Sequence, residues 1–243
     1  MALVDLANPT RFLSLSHRLL PFLWAAAGVV VVAGLWLGLA VSPADYQQGD
    51  TVRIMYIHVP SAWLSMAIYG LMAVASLGTL VWRHPLADVT AKSAAPIGAA
   101  FTFVTLVTGS LWGRPMWGTF WVWVARLTSE LVLLLMYLGL IAVWRAIDDP
   151  GRGARIAAVL TLVGTVNLPI IKFSVDWWNT LHQPASVFRA DGPTIDPSML
   201  TPLFTMATGL ALLTAALLFT AIGNEILRRR VRTLEMVAAS ADP

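Results

Sequence analysis

The chain has no cysteine among its 243 residues. That absence excludes disulfides, thiol–disulfide exchange, Cys-ligated metals and iron–sulfur clusters. Charge is also scarce: Asp, Glu, Lys and Arg make up 12% of the sequence, against about 25% in a soluble domain. No G-x-x-x-x-G-K-[ST] run occurs, so the chain carries no phosphate-binding loop and is not itself an ATPase. There is no internal repeat and no low-complexity tract. What is present is apolar: 58% of residues are hydrophobic, eleven of them Trp, and the mean hydropathy is +0.73. A water-soluble fold has too little interior to hide such a content, and disorder is excluded by the same figures. The chain is membrane-embedded.

A spanning helix needs about 20 mostly apolar residues to cross about 30 Å of hydrocarbon. Six stretches qualify: Leu19–Val41, Ala62–Trp82, Pro96–Trp112, Leu127–Ile147, Ile156–Phe173 and Leu203–Leu227. The expected fold class is all-α, a single six-span membrane domain over residues 1–243. The third span is rich in Thr and Gly, residues that membrane helices tolerate at helix–helix contacts. Eleven of the sixteen Lys and Arg fall on the N-terminus, the loops after the second and fourth spans, and the C-terminus. Lys and Arg bias sets orientation, so both termini are expected in the cytoplasm. The pI near 9.7 is then a topology signal, not a sign of nucleic-acid binding. Arg228–Arg230 reads as a flank beside anionic lipid headgroups.

The outer loops, Ser42–Ser61, Gly113–Arg126 and Ser174–Pro202, are longer and richer in chemistry-bearing residues than the cytoplasmic ones. Of four His, His17 and His84 sit at cytoplasmic helix ends beside Arg18 and Arg83 and read as solvated flank residues. His58 and His182 follow outward-running spans. Neutral imidazole is a common ligand of metals and haem iron, so the pair reads either as ligands of one iron or as interfacial His bonded to loop backbone. Between spans three and four lies Trp112-Gly113-Arg114-Pro115-Met116-Trp117-Gly118-Thr119-Phe120-Trp121-Val122-Trp123-Val124-Ala125-Arg126. An interfacial aromatic belt explains one or two Trp per helix end, not this density. Taken as an amphipathic helix in the interface, Trp117, Phe120, Trp121 and Val124 share one face by i, i+3, i+4, i+7 spacing. Such a platform suits a planar macrocycle, with Arg114 and Arg126 flanking it for carboxylates. Glu130 and its neighbours Thr128 and Ser129 read as the start of the fourth span, with a carboxylate complementing the helix dipole.

The Trp-rich stretch resembles the "WWD" motif of haem-handling proteins, and the whole chain is similar to the cytochrome c maturation protein C family. His58-Val59-Pro60 and Trp177-Trp178-Asn179-Thr180-Leu181-His182-Gln183 carry the likeness further. The resemblance implies non-covalent b-type haem at the periplasmic face of the bacterial inner membrane. His58 and His182 would be the axial ligands, with Trp117, Trp121 and Trp123 as the wall and Gly118 shaping the turn. It implies no enzyme activity, but delivery of haem to the chaperone CcmE alongside the ABC-type proteins CcmA and CcmB and the small membrane protein CcmD. Covalent attachment to this chain is excluded by the lack of Cys. Val124 departs from the motif, which has Asp there. It reads as a substitution, introduced rather than divergent, that leaves haem binding intact and impairs handover. Two rivals remain: a b-type cytochrome subunit, disfavoured because both candidate ligands lie at one face, and a transporter, disfavoured because the spans hold few ionisable residues.

Overall fold

The computed structural model describes residues 8–178, 180–184 and 186–241, so Asn179 of the quoted motif lies outside it. The described residues form seven α-helices: α1 Pro9–Trp36, α2 Met55–Leu80, α3 Ala87–Trp117, α4 Ala125–Ala146, α5 Pro150–Gly164, α6 Asn167–Trp177 and α7 Pro197–Ala241. Six helical stretches are long and apolar enough to cross a membrane, α5 and α6 together making the fifth. The chain is a multi-pass helical membrane protein. Most helices run beyond the apolar runs that mark them in sequence, because polar residues at their ends continue the same hydrogen-bond ladder. α2 begins at Met55 rather than Ala62, after a 3-10 turn over Asp50–Ile54. His58 therefore lies in the first turn of a helix, not in a loop.

The fifth span is broken at Thr165–Val166. Pro169 has no N–H to give to the Thr165 carbonyl, so the i→i−4 ladder fails there. The Leu168 N–H takes that carbonyl instead at 3.1 Å. The Asn167 amide donates to the Ser129 carbonyl on α4 at 2.9 Å, tying the break to its neighbour. The Thr-rich α3 stays intact for the opposite reason. Thr102, Thr105 and Thr108 donate their hydroxyls to the carbonyls four residues earlier, so these three polar groups are satisfied within the helix.

Apolar packing divides along the bundle. The middle holds Tyr69, Met72, Ala95, Leu133 and Tyr137 from α2, α3 and α4. One end holds Phe12, Leu86, Val89, Ile222 and Ile226. At that end Arg230 bonds Thr10 at 2.7 Å, and Arg232 bonds the Asp148 carbonyl at 3.3 Å. The C-terminal part of α7 thus meets both the start of α1 and the α4–α5 loop. Glu225, buried on α7, accepts from Lys92 at 2.7 Å, Arg228 at 2.8 Å and Arg229 at 3.0 Å, while Arg229 also reaches Asp88 at 2.7 Å. Arg228 and Arg229 are therefore engaged in a network joining α3 to α7, not simply held beside headgroups. Where α1 crosses α7, Gly34 faces the Met206 backbone and Gly209 faces that of Val31; a Cβ at either would sit 2.8 Å from its neighbour. Small residues let these two helices touch without a hydrophobic drive between them.

A paired-imidazole cavity at the opposite end

The far end gathers Val52, Met55, Tyr56, Val187, Met199 and Leu203, with Trp63 and Trp112 packed against them. Met55 and Met199 thus serve as packing. Above this cluster the segment after α1 is pinned by several contacts. Arg53 donates to the Leu39 carbonyl at 2.8 Å, and the Tyr56 hydroxyl bonds the Ser42 hydroxyl. Asp45 accepts from the backbone N–H of Gln47 and Gln48 at 2.9 and 2.8 Å, an Asx turn rather than mere solvation. The turn aims Gln48 at α3, where its side-chain oxygen takes the Trp112 indole N–H at 2.8 Å.

Under that segment opens a cavity of about 1400 Å³, counted out to its mouth, that His58 and His182 both line. Trp117, Trp121, Arg126, Glu130 and Lys172 share its wall with Trp63, Trp112 and Met66. His58 is 9% exposed. Its Nδ1 lies 3.0 Å from Thr108 Oγ1, whose own hydrogen goes to the Val104 carbonyl at 2.6 Å. The hydroxyl proton is committed, so Nδ1 must carry the hydrogen and donate. That leaves the Nε2 lone pair free. A Cβ on Gly109 would stand 3.0 Å from the His58 ring, so α3 approaches this imidazole as closely as its backbone allows. Trp112 meets the same ring edge-on at 5.7 Å.

His182 arrives on the segment between α6 and α7. Its Nδ1 stands between partners of opposite kind, the Gln183 carbonyl at 3.1 Å, which accepts, and Arg126 Nη1 at 3.4 Å, which donates. Burial, with the Arg126 cation second, pushes the His182 pKa down to about 4. The ring is neutral at physiological pH, the state in which an imidazole binds metal. Arg126 also bonds Ser174 Oγ at 3.4 Å and the Lys172 carbonyl at 3.0 Å, joining the start of α4 to α6.

The Trp-rich segment does not form the interfacial helix expected of it. α3 stops at Trp117; Gly118 caps it in the left-handed region with φ 76°, and residues 118–124 are non-helical up to α4. A side chain at that φ is strained, so glycine ends the helix there. The shared face of 117, 120, 121 and 124 is lost. Trp117 and Trp121 still reach the cavity, Trp117 lying 6.3 Å from the His182 ring. Phe120 and Trp123 turn outward, 54% and 75% exposed, Trp123 leaning edge-on against Trp121 at 5.5 Å. Arg114 does not line the cavity: it bonds the Gly118 carbonyl and lies 5.5 Å over the Phe120 ring. It braces the turn.

Val124 lies off the cavity too. It is the extended residue that opens α4, with no side-chain cap. Asp is among the best residues at such a position, since its carboxylate accepts the helix's first free N–H groups. An Asp at this position would be placed to cap α4 rather than to line the cavity. Glu130 is likewise not a dipole partner. It sits in the second turn, 5% exposed, where Ser65 Oγ on α2 donates to it at 2.9 Å. Ser129 bonds back to the Ala125 carbonyl at 2.7 Å instead of capping. Thr108, Gln48 and Lys172 were not legible as site residues, because their roles depend on helix packing alone.

Among the described residues no group of three or more His, Asp or Glu could hold a metal ion. Two imidazoles can serve as the axial pair of a metal whose other four ligands come from a macrocycle. The Trp121 indole N–H is buried without an acceptor among the described residues. The fold and site define a polytopic helical membrane protein with a paired-imidazole cavity at one end of its bundle.

The comparisons name the group. The family model for Heme exporter protein C, CcmC, matches residues 2–237. Heme exporter protein C of Bradyrhizobium diazoefficiens is 68% identical over 99% of this chain and 91% of its own. That of Escherichia coli is 49% identical, covering 96% and 95% of the two chains. That of Paracoccus denitrificans is 42% identical over 96% and 97%. The chain belongs to the heme exporter protein C family.

Proposed function

We propose that this chain, acting as one membrane unit, holds haem for cytochrome c maturation and passes it on without performing covalent chemistry. The observation that carries the reading is the pair of imidazoles lining one cavity, each with its Nδ1 engaged by a protein partner. His58 and His182 are the axial ligands of a non-covalent b-type haem. Trp117 and Trp121 form the wall, Gly118 sets the turn that presents them, and Trp123 supports Trp121 from outside. Arg126 at the cavity wall, helped by Lys172, supplies positive charge for the propionates. Arg114 acts indirectly by holding the turn, and Val124 leaves binding intact while weakening the helix start on which handover depends.

The charge bias of the loops supports an inner-membrane orientation with both termini cytoplasmic and the cavity on the periplasmic side. The names of the relatives support haem as the cargo. Family membership supports CcmE as acceptor, with CcmA, CcmB and CcmD as companions in the lipid bilayer. Nucleic acid has no part in it. The test is the optical spectrum of the purified protein and the haem it yields to CcmE. A low-spin bis-imidazole spectrum, lost in His58→Ala or His182→Ala but kept in His17→Ala, is expected. An unchanged spectrum in both site variants sinks the assignment; haem that never moves to CcmE marks a static cytochrome instead.

A further inference from the structure

Below the imidazoles the cavity wall is apolar, with Val59, Ala62, Met66, Leu106 and Ile171 exposed to it. One carboxylate interrupts it. Glu130 is the single Asp or Glu among the described lining residues. Its Oε1 takes the Ser65 hydroxyl at 2.9 Å, and the Tyr137 hydroxyl bonds the Ser65 carbonyl at 2.7 Å. The carboxylate is thus held in place between α2 and α4. A hydrogen bond between helices needs no charge, because a Gln accepts it equally well. An ionisable group kept inside a membrane span is costly and marks function. Arg126, one helical turn away, makes no ion pair with it; its guanidinium is bonded to Ser174 and the Lys172 carbonyl. Glu130 is thus the one acidic group facing a cavity that Arg126 and Lys172 also line.

We propose that Glu130 is the counter-charge to the iron centre and biases the bound haem toward its ferric form. This rests on the haem reading above. A ferric macrocycle between two neutral imidazoles carries one net positive charge at its centre, and a ferrous one carries none. A carboxylate in a poorly screened wall stabilises the first and not the second, so it lowers the reduction potential. Arg126 works with the opposite sign. Two unit charges about 12 Å apart at an effective dielectric of about 20 interact by roughly one decade in an equilibrium constant.

The experiment is a potentiometric titration of the haem-loaded protein, followed optically. Glu130→Gln keeps the acceptor for Ser65 and removes the charge. At a fixed ambient potential its ferrous-to-ferric ratio should rise about tenfold, an upward shift of about 59 mV for a one-electron couple. Glu130→Asp, which restores the charge, should return most of that shift. An unchanged potential in Glu130→Gln, with the bis-imidazole spectrum intact, overturns the proposal and leaves Glu130 as helix–helix glue. If the Gln variant does not accumulate, Ser65→Ala decides. It strips a donor from the charged carboxylate, so a smaller rise supports the proposal and no change overturns it. A wild-type protein without bis-imidazole haem overturns the haem reading itself, a distinguishable result.

Discussion

His58 and His182 face one cavity from different kinds of ground. His58 sits in the first turn of α2, its ring wedged against α3 at Gly109 and bonded to Thr108. His182 sits outside any helix, held by Thr180, Gln183 and the reach of Arg126. Displacing the first means separating two spanning helices; displacing the second means moving a segment between α6 and α7. On the proposed reading, in which the haem is passed on, one fixed and one releasable imidazole is a workable division.

The sharpest way to break this comparison is to delete each ring. His58→Ala should reduce haem content to background, whereas His182→Ala should retain a fraction with a five-coordinate spectrum; equal losses would erase the distinction. Thr108→Val comes next. It removes the acceptor for His58 Nδ1, a change that typically lowers metal affinity about 10- to 100-fold, and haem titration in detergent would measure it. Its counterpart on the other side is Arg126→Gln, read through pH. The folded His182 pKa of about 4 lies below its ordinary 6.5. Between those values the unfolded chain binds more protons, so haem-free stability rises with pH across that window and levels above 6.5. Removing Arg126 lifts the folded value and narrows the window from below; thermal unfolding from pH 4 to 7 would show it. The smallest effect is Val124→Asp, outside both halves. The new cap should add about 1 kcal/mol of stability, seen as a higher Tm, with the haem spectrum unchanged. A changed spectrum would return position 124 to the cavity wall.

The spans, their number and the common side of His58 and His182 were legible because hydrocarbon demands long apolar runs and alternate crossings. The Trp-rich segment was legible as a site but not in shape. Trp, Phe and Val suit a helix face and an extended stretch alike, and only Gly118 signalled the turn. The break before Pro169 was not legible, because the residue lies inside an apolar run that reads as one continuous span. Glu130 was misplaced for another reason: its meaning comes from Ser65, which lies 65 positions earlier in the chain.

The last helix carries a mechanical consequence. α7 runs unbroken for 45 residues, about 67 Å at 1.5 Å per residue, roughly twice the hydrocarbon thickness. Its beginning, at Met199 and Leu203, packs with Val187 of the stretch that bears His182. Its last turns stand exposed beyond Arg232. A rod of that length couples its ends: a tilt of about 5° about its middle moves each tip by about 3 Å in opposite directions. The stretch that bears His182 therefore rests against one end of a rod whose other end projects, exposed, past the opposite end of the bundle.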